Sequence, residues 1–100
     1  MSDDENWGFA PPAFKPVDAL ARLTRELREA GLTERGGAFE RRGLAIVRAS
    51  VDGAQLKVET VKQPARSPQW RPRLIKTSGE LRDYVADLKK QLAAWGDDHD

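Results

Sequence analysis

The sequence predicts an α+β fold with the element order α-β-β-β-α, in which two helices pack on one face of a three-stranded antiparallel sheet. Three observations lead to it. Asp52-Gly53 separates two runs rich in β-branched and aliphatic residues, residues 16–30 repeat apolar side chains every three or four positions, and a capping signal at Thr77 precedes a second amphipathic stretch.

Residues 43–61 are typical of a β-hairpin, because Asp-Gly favours a two-residue type I′ turn. That turn predicts one apolar face and one polar face, since successive side chains of a strand alternate. The apolar face pairs Val51 with Ala54, Ala49 with Leu56, Val47 with Val58, and Ala45 with Thr60. The polar face carries Arg48, Ser50, Gln55, Lys57 and Glu59. Leu44, Ile46 and Val61 also fall on the polar face, so we expect another segment to cover them.

Pro16 to Ala30 is predicted to be a helix, with Pro16 in the first turn and Asp18 complementing the helix dipole. Gly31 supplies a left-handed residue after the last turn, and Leu32 can fold back in a Schellman ending. The predicted buried face consists of Val17, Leu20, Thr24, Leu27 and Ala30, with Leu23 at its edge.

The second helix begins at a capping box, in which Thr77 and Glu80 satisfy each other's backbone N–H groups. It is expected to end near Trp95, before Gly96. Its apolar stripe consists of Leu81, Tyr84 or Val85, Leu88, Leu92 and Trp95. This stripe suits core packing, and a dimer seam is the alternative.

The remaining segments are less regular. Gly36-Gly37 is interpreted as a flexible joint, and the first strand is expected to begin between Ala38 and Leu44. Residues 62–72 are predicted to form a loop because they contain three prolines, and a short third strand follows from Arg73 to Thr77.

The length of 100 residues indicates one domain. We expect an extended aromatic and proline arm over residues 1–15 that lies on the domain, an α+β domain over residues 16–96, and a disordered acidic tail over residues 97–100. Without an apolar run of membrane-spanning length, a secretory signal or any cysteine, the sequence favours a cytoplasmic protein with no membrane association.

The inventory of chemical groups argues against an enzyme. The sequence has no cysteine, and its only histidine, His99, lies in the acidic tail, where a flexible segment cannot hold a metal site. No glycine pattern for binding phosphates or dinucleotides is present. We therefore expect no catalytic residue, no metal and no cofactor.

The charge distribution is uneven, with a net charge of +7 over residues 35–76 and −3 on either side. Arginine and lysine interleaved with Trp70 on a sheet face and its adjoining loop suit a partner surface. The predicted contact residues are Arg48, Lys57, Arg66, Trp70, Arg71 and Arg73. We expect a protein partner, possibly acidic, bound through this basic face and residues 63–72, by a monomer or weak homodimer. The alternatives are a nucleic-acid backbone and charges that merely keep the sheet dissolved.

The predicted element order resembles that of the double-stranded-RNA-binding fold. The resemblance is one of topology, because that family's basic motif opens the second helix, whereas residues 78–83 here read SGELRD and Lys89-Lys90 come later.

Overall fold

The computed structural model describes residues 13–97, which form two helices and one antiparallel sheet of five strands. The strands follow the chain as a meander, in the spatial order β1-β2-β3-β4-β5. The elements are α1 Pro16–Glu29, β1 Thr33–Arg35, β2 Ala38–Arg41, β3 Leu44–Asp52, β4 Gln55–Val61, β5 Trp70–Ile75 and α2 Ser78–Asp97.

The α+β class is confirmed, but the prediction of three strands is wrong. Gly36-Gly37 is a tight turn between β1 and β2 rather than a flexible joint, and Arg42-Gly43 is a second such turn between β2 and β3. All four turn residues have positive φ, between 57° and 83°, as a type I′ hairpin turn requires. These two turns add the short strands β1 and β2 to the edge of the predicted sheet.

The β3–β4 hairpin has the predicted faces but a different register. Asp52 pairs with Gln55, so the turn residues are Gly53 and Ala54. Gly53 has a φ of 62° and Ala54 does not have a positive φ, which matches a type II′ turn rather than type I′. The pairing is shifted by two residues, which leaves the side chains of residues 47–52 and of β4 on their predicted faces.

A β-bulge explains two of the three apolar residues that alternation placed on the polar face. The register between β2 and β3 shifts after Phe39, which pairs with Val47, whereas Glu40 pairs with Ala45. Ile46 is the extra residue, and both Ile46 and Val47 are buried, with 1 % and 0 % of their surface exposed. Beyond the bulge Leu44 opposes Arg41 and lies on the helix side.

Helix α1 ends as predicted. The Gly31 N–H donates to the Arg28 carbonyl and the Leu32 N–H to the Leu27 carbonyl, each at 3.0 Å, which is the Schellman pattern. The buried face is rotated from the predicted one, because Leu23 lies at its centre and Val17 is 68 % exposed. The buried residues of this helix are Ala19, Leu23 and Leu27.

Helix α2 begins with half of the predicted capping box. The Thr77 hydroxyl accepts from the Glu80 N–H at 3.0 Å, but the Glu80 carboxylate accepts from the Lys76 N–H at 2.7 Å instead of from Thr77. The apolar stripe is confirmed as core: Leu81, Tyr84, Val85, Leu88 and Leu92 are buried, and Trp95 packs half-buried against them.

Both helices lie on the same face of the sheet, here called the helix side. Tyr84 of α2 forms a buried hydrogen bond with Thr60 of β4. Arg41 of β2 donates to the Leu92 carbonyl of α2 at 2.7 Å, and Arg28 of α1 forms an ion pair with Glu34 of β1 at 2.9 Å. Contacts at both ends of the sheet therefore attach the helices to one face, as expected.

Tyr84 is the sequence's only tyrosine, and burial raises the pKa of its hydroxyl, with the Thr60 hydrogen bond and Arg73 opposing this in part. We expect the unfolded chain to lose this proton near pH 10, before the native protein does. The native state then binds more protons, so the free energy of unfolding falls as the pH rises above 10 towards the raised pKa. Absorbance at the tyrosinate band reports this group: its midpoint should lie higher in native protein than in urea, and equal midpoints would contradict the burial of Tyr84.

Neither helix within residues 13–97 combines the length and apolar character needed to cross a membrane. Phe14 is half-buried and packs against the core. The expected docking of Trp7 and Phe9 lies outside the described residues, as does the tail from residue 98 onwards.

Candidate functional site

The outer face of the sheet, opposite the helices, carries the candidate site. Along β5, Trp70, Pro72 and Leu74 alternate with Arg71, Arg73 and Ile75. Ile75 is fully buried and pairs with the buried Leu56, so the odd-numbered residues lie on the helix side. The even-numbered residues lie on the outer face with Arg48, Lys57 and Glu59 of the neighbouring strands.

The centre of the site is a stacked pair. The Arg48 guanidinium lies over the Trp70 ring, with its carbon 3.9 Å from the ring centroid, and crosses from β3 over β4 to reach it. Glu59, directly opposite Arg48 on β4, holds the same guanidinium through an Nη2–Oε1 contact of 3.2 Å. Aromatic ring and carboxylate together fix the orientation of a cation whose side chain is still 46 % exposed.

Apolar surface continues from this pair along β5. Trp70 is half-buried against the core and pairs with the buried Val61, the third apolar residue that alternation placed on this face. Pro72 is exposed, and Leu74 is 43 % exposed beside Lys57. We call Arg48, Lys57, Glu59, Trp70, Pro72 and Leu74 the Trp70 cluster.

Two predicted contact residues lie elsewhere. Arg73 is on the helix side, 5.5 Å from the Tyr84 ring centroid and 3.7 Å from the Asp87 carboxylate. Arg71 pairs with the buried Thr60 and shares that face. The structure therefore brings Trp70 into contact with Arg48, places Lys57 on the same face beside Leu74, and puts Arg71 and Arg73 on the opposite face.

The sixth predicted residue, Arg66, is exposed in the loop over residues 62–69. This loop is shorter than predicted, because Trp70, Arg71 and Pro72 already belong to β5. Its ends are joined by a hydrogen bond of 2.8 Å from the Lys62 N–H to the Gln69 carbonyl. The closed loop brings Lys62 next to the end of β5 that carries Trp70.

The outer face carries mixed charge. Its strand positions hold three cations and three anions: Arg35, Arg48 and Lys57 against Glu40, Asp52 and Glu59. The 62–69 loop adjoins Trp70, carries Lys62 and Arg66 and contains no acidic residue, although alternation from Val61 turns the Lys62 side chain towards the helix side. The positive charge of residues 35–76 is therefore divided between the two faces, with a local excess at the corner beside Trp70.

The open edge of β5 is protected against pairing with another strand. In an antiparallel ladder that contains the Lys62–Gln69 hydrogen bond, Arg71, Arg73 and Ile75 direct their backbone hydrogen-bonding groups towards β4. The backbone groups of Trp70, Pro72 and Leu74 point towards the open edge instead. Pro72 has no N–H to offer there, so an added strand would lose a central hydrogen bond. A partner is expected to contact side chains rather than extend the sheet.

The helix side offers shallow clefts. One of about 340 Å³ lies between the end of α1 and α2, lined by Glu29, Ala30, Arg41, Lys89, Leu92 and Ala93. Another of about 240 Å³ lies further along the helices beside Glu26, which forms an ion pair with Lys89 at 3.1 Å. Among the described residues, no group of three or more histidine, cysteine, aspartate or glutamate side chains is placed to hold a metal ion.

Glu59, Pro72 and Leu74 are not among the six predicted contact residues, although Glu59 lies on the predicted polar face and Pro72 within residues 63–72. Extending the strand back to Trp70 would have aligned Trp70, Pro72 and Leu74 on one face, because they alternate. The three prolines of residues 62–72 predict a loop there, whereas β5 already begins at Trp70.

Comparisons of this chain with protein-family models, with curated proteins and with solved structures find no match. The five-stranded meander also departs from the α-β-β-β-α order on which the resemblance to the double-stranded-RNA-binding fold depended.

Proposed function

We propose that this chain is a non-enzymatic protein-binding module of the cytoplasm that engages a partner through the Trp70 cluster. The observation that carries the proposal is the stacked pair of Arg48 and Trp70 on an accessible sheet face, next to the exposed Leu74. Tryptophan and arginine are the residues most enriched among binding hot spots.

Preorganisation supports the proposal. Immobilising a flexible side chain on binding costs about 0.5–1.5 kcal/mol, and the arginine side chain is among the most flexible. Arg48 is already stacked on the Trp70 ring, so part of that cost is met in the unbound protein. Trp70 is likewise anchored against the core and presents a fixed apolar surface.

Protein binding is favoured over nucleic-acid binding by the arrangement of charge. A nucleic-acid backbone is bound through cations that follow successive phosphates. Here Arg71 and Arg73 lie on the helix side, and the acidic residues Glu40, Asp52 and Glu59 interrupt the outer face. One side of the Trp70 ring is also occupied by Arg48, which reduces the aromatic surface on which a base can stack.

The test compares two substitutions that remove similar exposed apolar surface. Leu74→Ser changes the Trp70 cluster, whereas Val51→Ser changes a residue of equal exposure, 41 % against 43 %, on the opposite face at the hairpin tip. Each protein is immobilised and used to capture proteins from a lysate of its source organism, followed by quantitative mass spectrometry. We expect proteins that are retained by the wild type and by Val51→Ser but lost from Leu74→Ser.

A second experiment tests nucleic-acid binding: labelled RNA and DNA are titrated with the same proteins at low and at moderate salt. Binding that falls steeply with salt, weakens with Lys57→Gln and is unchanged by Leu74→Ser would replace the proposal with a nucleic-acid-binding function. Captured proteins retained equally by both serine variants would contradict the role of the Trp70 cluster. Circular dichroism and melting curves check that the variants remain folded.

A further inference from the structure

We infer that the partner of the Trp70 cluster presents an acidic segment that places a carboxylate on the exposed side of Arg48, in competition with Glu59. An apolar side chain of the same segment rests on Pro72 and Leu74. This inference rests on the proposed function and names the chemistry of its partner.

Arg48 retains binding capacity in its present contacts. A guanidinium carries five N–H donors in a planar fork that suits two parallel hydrogen bonds to one carboxylate. Glu59 contacts this guanidinium at 3.2 Å, which is longer than the usual distance of about 2.7–2.9 Å for a strong charged hydrogen bond. The guanidinium is still accessible, so a carboxylate approaching from outside can form a shorter, two-point contact.

Charge complementarity points to the same chemistry. At the Trp70 end of β5, Arg48 lies on the outer face and the adjoining 62–69 loop carries Lys62 and Arg66, against the single carboxylate of Glu59; Lys57 lies further along, beside Leu74. This local excess of positive charge is confined to the corner where the 62–69 loop meets β5, whereas the rest of the outer face is balanced. An acidic segment is therefore attracted to this corner in preference to other parts of the same face.

The apolar part of the partner follows from the neighbouring residues. Leu74 and Pro72 extend the surface of Trp70 along one strand, spaced two residues apart. Such a strip accommodates one or two large apolar side chains of a short segment. The combination predicts a sequence in which acidic residues flank an aromatic or aliphatic residue.

Glu59 is consequently expected to weaken binding of such a segment. Its carboxylate competes for Arg48 and repels an incoming acidic group at short range. Glu59→Gln removes both effects while preserving the shape of the side chain. The matched control is Glu40→Gln, which removes a carboxylate from the same face but on β2, across β3 from β4.

The experiment begins with selection from a phage library of random 12-residue peptides against the full chain, with Leu74→Ser as the counter-selection. The expected outcome is enrichment of peptides with an excess of Asp and Glu around a large apolar residue. The best peptide is then synthesised and its Kd is measured by calorimetry at two salt concentrations. We expect Glu59→Gln to lower the Kd about two- to fivefold, in keeping with an exposed ion pair. Glu40→Gln should leave it unchanged, and Arg48→Gln should raise it about tenfold or more.

The possible failures are distinguishable. Peptides that lose binding with Leu74→Ser, but show no acidic excess or bind Arg48→Gln as well as the wild type, overturn the acidic inference and leave the Trp70 cluster as a protein-binding surface. Peptides that bind Leu74→Ser as strongly as the wild type overturn both. A selection that enriches no peptide also overturns the inference, and the proposed function is then decided by the capture experiment alone.

Discussion

Replacing Leu88 with alanine is expected to lower the free energy of unfolding by about 2–5 kcal/mol, which is the usual cost of removing a large aliphatic side chain from a core. Leu88 lies in the middle of the α2 stripe with 1 % of its surface exposed. Truncation leaves a cavity where the helix packs on the rest of the core. The loss is a large share of a typical total stability of about 5–15 kcal/mol.

Urea denaturation followed by circular dichroism measures this loss. Leu74→Ala is the matched control, because it makes the same chemical change at a leucine that is 43 % exposed on β5. It is expected to cost less than about 1 kcal/mol, the range spanned by strand propensities. Equal losses from the two variants would contradict the packing of α2, as would a loss from Leu88→Ala of less than about half a kilocalorie, a size typical of surface substitutions.

Replacing Thr60 with valine is expected to cost about 1–3 kcal/mol although valine has nearly the same shape as threonine, because a buried polar group would lose its partner. The Thr60 hydroxyl and the Tyr84 hydroxyl form a hydrogen bond between β4 and α2, and both residues are buried. With valine at position 60, the tyrosine hydroxyl stays enclosed without this hydrogen bond. Tyr84→Phe likewise leaves the buried Thr60 hydroxyl without its hydrogen-bond partner.

The double variant Thr60→Val with Tyr84→Phe decides whether the hydrogen bond accounts for these losses. Removing both hydroxyls leaves no unsatisfied partner, so the double variant should lose less stability than the sum of the two single variants. Chemical denaturation of all four proteins at neutral pH gives the coupling free energy. Strictly additive losses would show that the two hydroxyls do not depend on each other.

The fold accounts for the accessibility of the proposed binding face. Both helices occupy one side of the meander, so the outer face of β3, β4 and β5 lacks a covering helix among the described residues. Polar residues alternate along β3 and β4 on that face, whereas β5 presents Trp70, Pro72 and Leu74. Apolar surface is concentrated on one edge strand, which Pro72 protects from pairing with another strand. Charges that serve only to keep a sheet soluble would not require this apolar surface.

The candidate site could be predicted in part. Alternation along β3 and β4 placed Arg48 and Lys57 correctly on the outer face, because these two strands have clear apolar and polar sides. Arg71 and Arg73 are predicted to share a contact surface with Trp70, because arginine and tryptophan dominate interface energies and residues 62–72 are predicted to be a loop. Successive residues of a strand point to opposite faces, so that grouping failed once Trp70–Ile75 proved to be a strand.

The sequence by itself determined the elements whose signals are local. The 3.6-residue spacing and the Schellman ending defined α1, the Thr77 cap and the apolar stripe defined α2, and alternation defined the faces of the central hairpin. Each of these features depends on residues within a few positions of one another, so neighbouring side chains are enough to specify it.

Only the tertiary structure decided the number of strands, the register of the central hairpin and the contact of Arg48 with Trp70. β1 and β2 have three and four residues, too few for alternation to identify, and they are stable because they pair with each other and with β3. A shift of two residues preserves every face, so burial cannot distinguish the two registers. Arg48 meets Trp70 across an intervening strand, and such long-range contacts depend on how the whole sheet is assembled.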